Sequence, residues 1–426
     1  MHYSAGTDPR DTQGGETLRK LKLVVVACLA TAIAAATLAS GSAGAQTSTT
    51  AAGGKKTLYF IGGFTTKGEE AIAQPQFDDG VKLAVKDLQA EGWTVTYDRI
   101  PAMGTNAAST EQAFLTALAK HPDAYLSLTS SNTFIPVGPK VAATDMPTFA
   151  LSAPTEGVRN GPSGGDNIYL LRALNEQTYQ KAADYACGVL KLHKVGLSLV
   201  QTAFGPTAQQ AFDREAKKFK DCKSVTQQYN SATATDTTQQ VLAFKAAGVD
   251  GIVSANFPGP MGVEVNQLRQ NGVDVPFIGG ASLNLAKENN GITTGLQNLY
   301  VLDDCVPDLR TTPASKKFVK DYQQAYGYTP NYASSQSYDS VFMAANAVEK
   351  AGSHDWPAIN KAMLSTDFAR ACQYKIDKNN VLDNSVTTYK YNTDGTKKLL
   401  KVYPLKYLPP AELATTAPPT TAPPAG

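Results

Sequence analysis

Between Thr57 and Gly279 the chain alternates short apolar runs with longer segments of helical spacing, and it passes through that alternation twice. No other feature constrains the fold as much. Strands separated by helix-length segments cannot pair as tight hairpins. They pair in parallel, and the crossing helices cover the sheet. In the first pass, Leu58-Tyr59-Phe60-Ile61 reads as a strand that ends on Gly62-Gly63. Phe77, Val81, Ala84, Val85 and Leu88 then recur at helical spacing. Further strands are expected at residues 94–97, 124–128 and 148–151, with helices at 111–119 and about 135–143. In the second pass the pattern predicts helices over residues 178–190, 208–219, 238–247 and 263–270. Strands are expected at 195–200, 225–229, 251–254 and 277–279, and Gly248 and Asn271-Gly272 mark helix ends. Helices at about 315–326, 335–350 and 358–364 follow. A hairpin closes the pattern, with strands at 387–391 and 399–403 around Asn392-Thr393-Asp394-Gly395. The fold class is therefore α/β, with two doubly wound units in one chain.

The ends of the chain read differently. Arg19, Lys20 and Lys22 precede an Ala-rich apolar run at 23–38, and Ala43-Gly44-Ala45 fits a small-residue cleavage site. Residues 1–45 are read as a signal peptide, which sends the protein out of the cytoplasm. Thr31, Thr37 and the many alanines make this run a weak permanent membrane span. Val25-Val26-Ala27-Cys28 resembles a lipobox, but most of the apolar run follows Cys28. Residues 46–56 read as a linker, and residues 408–426 as an extended Pro/Thr/Ala tail that cannot bury a core.

Cysteine usage agrees with export. Of the 5 cysteines, Cys28 leaves with the leader, and Cys187, Cys222, Cys305 and Cys372 remain for an oxidising compartment. Three pairings are open to four cysteines. The layout favours Cys187–Cys222, on two helices expected to flank the strand at 195–200, and Cys305–Cys372, at the junctions between the units. No C-x-x-C spacing occurs and His121, His193 and His354 are isolated, so neither metal nor cofactor is expected.

An exported enzyme is the main rival, and its machinery is missing from the sequence. There is no G-x-G, no G-x-x-x-x-G-K and no H-E-x-x-H. Gly196-Leu197-Ser198-Leu199-Val200 lacks the second glycine of a nucleophile elbow and lies inside a strand, so Ser198 reads as a sheet serine. The acidic pairs Asp78-Asp79 and Asp303-Asp304 read as a helix start and a turn. Lys+Arg 39 against Asp+Glu 37 gives no basic excess for a nucleic-acid partner.

Several stretches carry a family resemblance. They are Gln76-Phe77-Asp78-Asp79-Gly80-Val81-Lys82-Leu83-Ala84, the serine-rich Leu128-Thr129-Ser130-Ser131-Asn132, the run from Met146-Pro147 to Pro154-Thr155, and Tyr338-Asp339-Ser340-Val341-Phe342-Met343-Ala344-Ala345. In that order and spacing, residues 57–407 resemble the leucine/isoleucine/valine-binding type of periplasmic solute-binding protein. The resemblance implies two lobes, 57–172 with 304–376 and 173–303 with 377–407, joined by a three-segment hinge near Arg172, Asp303 and Ile376. It implies a small-molecule solute, an ABC permease as partner and a monomer that opens and closes. A ligand sensor of the same fold and an exported hydrolase are the alternatives.

The resemblance also carries a site. Ser130, Ser131, Ala153 and Thr155 follow two strands of the first lobe and would hold a ligand carboxylate. In the second lobe Phe204 and Phe257 follow two strands. The turn Gly279-Gly280-Ala281-Ser282 has Ala281 where amino-acid binders place the acid that holds the ammonium. That departure implies an apolar or aromatic acid rather than an α-amino acid, unless Asp303 or Asp304 supplies the charge.

Overall fold

Two sheets, the first parallel and the second largely so, carry the chain. The computed structural model describes residues 56–65, 67, 71–102, 106–159, 164–292, 294–363, 367–375 and 385–404. The expected signal peptide with Cys28, the linker before Lys56, the tail and the crossing near Ile376 lie outside the described residues.

The first sheet is built from β1 (Thr57–Thr65), β2 (Thr94–Ala102), β3 (Ala124–Ser127), β4 (Thr148–Ala150) and β5 (Ile168–Tyr169), in the order β2-β1-β3-β4-β5. All its pairs are parallel. The second holds β6 (Lys194–Val200), β7 (Lys223–Asn230), β8 (Gly251–Ala255), β9 (Phe277–Gly279) and β10 (Leu299–Asp303). Between β10 and the last two strands, β11 (Asp367–Ala369) and β12 (Gln373–Lys375) form a small antiparallel pair. The hairpin of β13 (Ser385–Tyr391) and β14 (Lys397–Pro404) extends the second sheet to β14-β13-β10-β9-β8-β6-β7. In both sheets the first strand lies between the second and third, so each has a switch point where neighbouring crossovers leave in opposite directions. A crevice opens there at the carboxyl ends of the strands. The residues of β3 and β8 are buried throughout, as expected where helices cover both faces.

Local chemistry sets the helices. α1 (Gln74–Ala90) has a proline in its first turn and buries Phe77, Val81, Ala84 and Leu88, the stripe read from the sequence. α2 (Ala107–Lys120) begins before the expected helix because the Asn106 side chain accepts from the Ser109 N–H at 2.9 Å. One helix was expected at 135–143, but two short ones occur, α3 (Ser131–Phe134) and α4 (Gly138–Ala142). Pro136 and Pro139 interrupt the ladder of backbone hydrogen bonds. α5 (Glu156–Arg159) follows β4.

In the second half, α6 (Asn175–Ala183) runs into a π-helical turn at Asp184–Val189. α7 (Phe204–Ala216), α8 (Thr238–Ala247), α9 (Pro258–Gln270) and α10 (Ala281–Asn290) alternate with the strands. α7 and α9 start well before the expected residues 208 and 263. α10 was not expected at all: Ala281 and Ser282, read as part of a turn, are its first residues. α11 (Pro313–Tyr326), α12 (Tyr332–Ala351) and α13 (Trp356–Met363) return to the first sheet. Phe318, Tyr338, Phe342 and Met343 share a core with Phe60, Phe77, Leu126 and Phe149. α1 and α12 approach closely at Gly80, where a Cβ would lie 2.2 Å from the Ser334 carbonyl oxygen.

Both expected disulfides are present, with Cα separations of 5.5 Å for Cys187–Cys222 and 6.0 Å for Cys305–Cys372. Their setting differs in one respect. Cys187 lies in the π-helical turn, but Cys222 sits on the connection between α7 and β7 rather than on a helix. Among the described residues no helix is long and apolar enough to cross a membrane.

Candidate functional site

A cleft lies where the carboxyl ends of the two sheets face each other. Ser130, Ser131, Phe204, Phe257 and Ala281, all expected from the sequence, line it. Ala153 and Thr155 do not, and their neighbours Ser152 and Pro154 line it instead. The reason is local. Thr155 donates its hydroxyl to Glu176 Oε1 at 3.0 Å, and that oxygen also accepts from the Glu156 N–H at 3.2 Å. Burial raises the Glu176 pKa, while its own backbone bond, Thr155 and Glu156 pull it down. Thr155 is thus committed to fixing α6 beside the loop.

On the first-sheet side the lining is polar. Ser130 precedes α3 and donates to Asn132 Oδ1 at 2.9 Å, and its carbonyl accepts from the Thr133 hydroxyl at 3.0 Å. The other side carries three rings beside Asn175, Thr178 and Ser282. Phe204 lies 5.7 Å from Tyr179 and 6.3 Å from Phe257, centroid to centroid. Tyr179 donates to the Ser254 carbonyl at 2.8 Å, which leaves its ring as an apolar face. Gly205 makes this grouping possible: a Cβ there would lie 2.1 Å from the Val200 carbonyl oxygen. Without one, α7 can start directly at the end of β6 and set Phe204 at the cleft.

A buried polar network supports the rings from behind. Ser198 donates to Glu264 Oε2 at 2.8 Å and accepts from Asn256 Nδ2 at 2.7 Å and Asn230 Nδ2 at 3.1 Å. Ser198 and Glu264 are both wholly buried, so Ser198 is a sheet serine held by a carboxylate on α9. Burial pushes the Glu264 carboxyl up to about 7, against the downward pull of Ser198, Ser254 and Asn256. Asn256 immediately precedes Phe257.

Arg172 also lines the cleft, with its side chain only 16% exposed. Its Nε donates to Asp304 Oδ2 at 3.1 Å, and its guanidinium lies 4.4 Å from the centre of the Tyr332 ring. Asp304 accepts a further bond from the Ala173 N–H at 2.9 Å. Burial, and then the charge of Asp304, raise the Asp303 pKa well above its ordinary value. Neither acid lines the cleft, and no described lining residue carries a carboxylate.

Sequence reasoning placed Arg172 at a crossing and passed over its side chain. It also missed Asn175, Thr178, Tyr179 and Tyr332, which line the cleft as well. A signal for Arg172 existed: it is the lone charge in Ile168-Tyr169-Leu170-Leu171-Arg172-Ala173-Leu174.

Two sheets with switch points that face each other across a cleft are the architecture of a periplasmic binding protein. The chain matches the model of that family over residues 59–396, and it belongs to it. No curated protein matches. Solved structures of the same fold include the branched-chain amino acid transporter substrate-binding protein LivJ from Streptococcus pneumoniae with isoleucine. It is 20% identical, with a TM-score of 0.72 over 83% of this chain and 100% of that one. A solute-binding protein from Rhodopseudomonas palustris BisB5, in complex with 3,4-dihydroxybenzoic acid, is 16% identical with a TM-score of 0.74 over 84% and 99%. A third, from R. palustris in complex with benzoate, is 14% identical with a TM-score of 0.73 over 82% and 97%.

Proposed function

We propose that this chain captures a small carboxylate-bearing solute with an apolar or aromatic body, closes over it, and presents it outside the cytoplasm to an ABC permease. The observation that carries the reading is the asymmetry of the cleft. Ser130, Ser131, Asn132 and Ser152 lie on the first-sheet side, the rings of Tyr179, Phe204 and Phe257 gather on the other beside Thr178 and Ser282, and no described lining residue has a carboxylate to pair with an ammonium. An apolar body stacks on the rings, and the charged end meets hydrogen-bond donors. An α-amino acid would bring an ammonium that Asp303 and Asp304 are not placed to meet, and an unpaired buried charge is costly. Solved structures of the fold hold isoleucine, benzoate or 3,4-dihydroxybenzoic acid, which supports a small acid as the solute. A solute that contacts both lobes only in the closed form shifts the population toward that form, which a permease can read.

A thermal-shift panel of benzoate, 3-phenylpropanoate, 4-methylpentanoate and the common amino acids tests the reading. At least one acid should raise the melting temperature, and chromatography should recover it unchanged. Conversion of the bound compound would place the protein among enzymes instead.

A further inference from the structure

We propose that Arg172 receives the solute's carboxylate on its two terminal nitrogens while Asp304 holds the same guanidinium from behind. This rests on the reading of the cleft as a site for small acids and names the group that recognises the anion.

Three observations support it. First, Arg172 is the only charged group among the described residues that line the cleft. Second, its hydrogen bonds among the described residues run through Nε alone, to Asp304. The guanidinium face is covered by the Tyr332 ring. With one edge and one face occupied, the plane of the fork is set and the Nη1 and Nη2 donors remain. Third, those nitrogens are not among the buried polar atoms that lack a partner, whereas Nε and Nη2 of Arg269 are. Arg172 itself lines the cleft and its side chain is partly exposed there.

Asp304 is itself fixed by the Ala173 N–H, so the guanidinium is held in place before a ligand arrives. A planar fork accepts a carboxylate through two parallel charge-assisted bonds, which a serine hydroxyl cannot do. Thr155, expected to bind the carboxylate, is engaged by Glu176 and leaves this role open. Arg172 follows β5 at the first crossing and Asp304 follows β10 at the second. An anion on Arg172 is thereby tied to two of the three expected connections between the lobes, and the chemistry selected is a monocarboxylate without a neighbouring cation.

The test compares the tightest-binding acid of benzoate, 3-phenylpropanoate and 4-methylpentanoate with its primary amide by calorimetry. The amide keeps the shape and loses the charge. Wild-type protein should bind the acid at least about tenfold more tightly than the amide. Arg172→Gln should weaken the acid by about tenfold to a hundredfold and leave the amide within about threefold, the range expected for lost charged hydrogen bonds. Arg172→Lys keeps the charge beside Asp304 but not the fork. It should lower the acid-to-amide ratio severalfold, and it serves if the glutamine variant does not fold. Arg370→Gln, at an arginine that pairs with Glu91 and does not line the cleft, should leave that ratio unchanged. A ratio preserved in Arg172→Lys, or lost in Arg370→Gln, overturns the assignment. Equal binding of acid and amide by wild-type protein overturns the anchor but keeps the cleft as a solute site. Binding of neither overturns both.

Discussion

Glu264→Gln isolates the buried carboxyl behind the aromatic rings. Burial raises its pKa from 4.5 to about 7 in the folded protein. A folded-state pKa above the unfolded one means that the folded form holds the proton more tightly. The stabilisation is full below about pH 4.5, falls as pH rises, and is gone once pH passes about 7. A shift of roughly 2.5 units corresponds to about 3 kcal/mol at most. Glutamine keeps an oxygen to accept from Ser198. Its amide takes the place of Glu264 Oε1, a buried oxygen that lacks a partner. The variant should match wild type near pH 4.5 and be more stable by up to about 3 kcal/mol at pH 8. Denaturant titrations of both proteins at the two pH values measure this. Glu176, Glu288 and Asp303, also raised by burial, tilt both proteins alike and cancel in the difference. A wild-type-to-variant difference that does not change with pH would refute the reasoning.

Two further substitutions probe packing and the site loop. Gly80→Ala places a Cβ against the Ser334 carbonyl and should force α1 away from α12 at a loss of about 1–3 kcal/mol, read from denaturation midpoints. Thr155→Ala removes a hydrogen bond to Glu176 rather than one to a ligand, so stability should fall by about 1–2 kcal/mol. Affinity for a bound acid, measured by calorimetry, should change less than about threefold.

The sequence carried the strand and helix order because buried parallel strands and one-sided helices leave different periods. The stripe from Phe77 to Leu88 and the runs at β3 and β8 are of that kind. Helix starts at the cleft were harder to read. The first turns of α7 and α9 hold Gly205, Pro206, Pro258 and Gly259, which read as breakers. In the structure a first turn needs no N–H from proline, and Gly205 permits the close approach to β6. α10 was lost for a related reason, because Gly279-Gly280 reads as a turn and its apolar pattern is weak. At the site, residues placed on strand ends by chain order reached the cleft, as with Ser131 and Phe257. Residues that depend on partners far along the chain were not legible. Thr155 meets Glu176 and Arg172 meets Asp304 only after folding, across 21 and 132 positions.

The central claim is that the cleft favours an acid without an ammonium. Calorimetry with phenylalanine against 3-phenylpropanoate, and leucine against 4-methylpentanoate, measures it most directly, since each pair differs only by the amino group. The account predicts that the deaminated member of the better-binding pair is tighter by at least about tenfold, near 1.4 kcal/mol. Tighter binding of phenylalanine or leucine would contradict it, and would mean that the closed cleft supplies a partner for the ammonium.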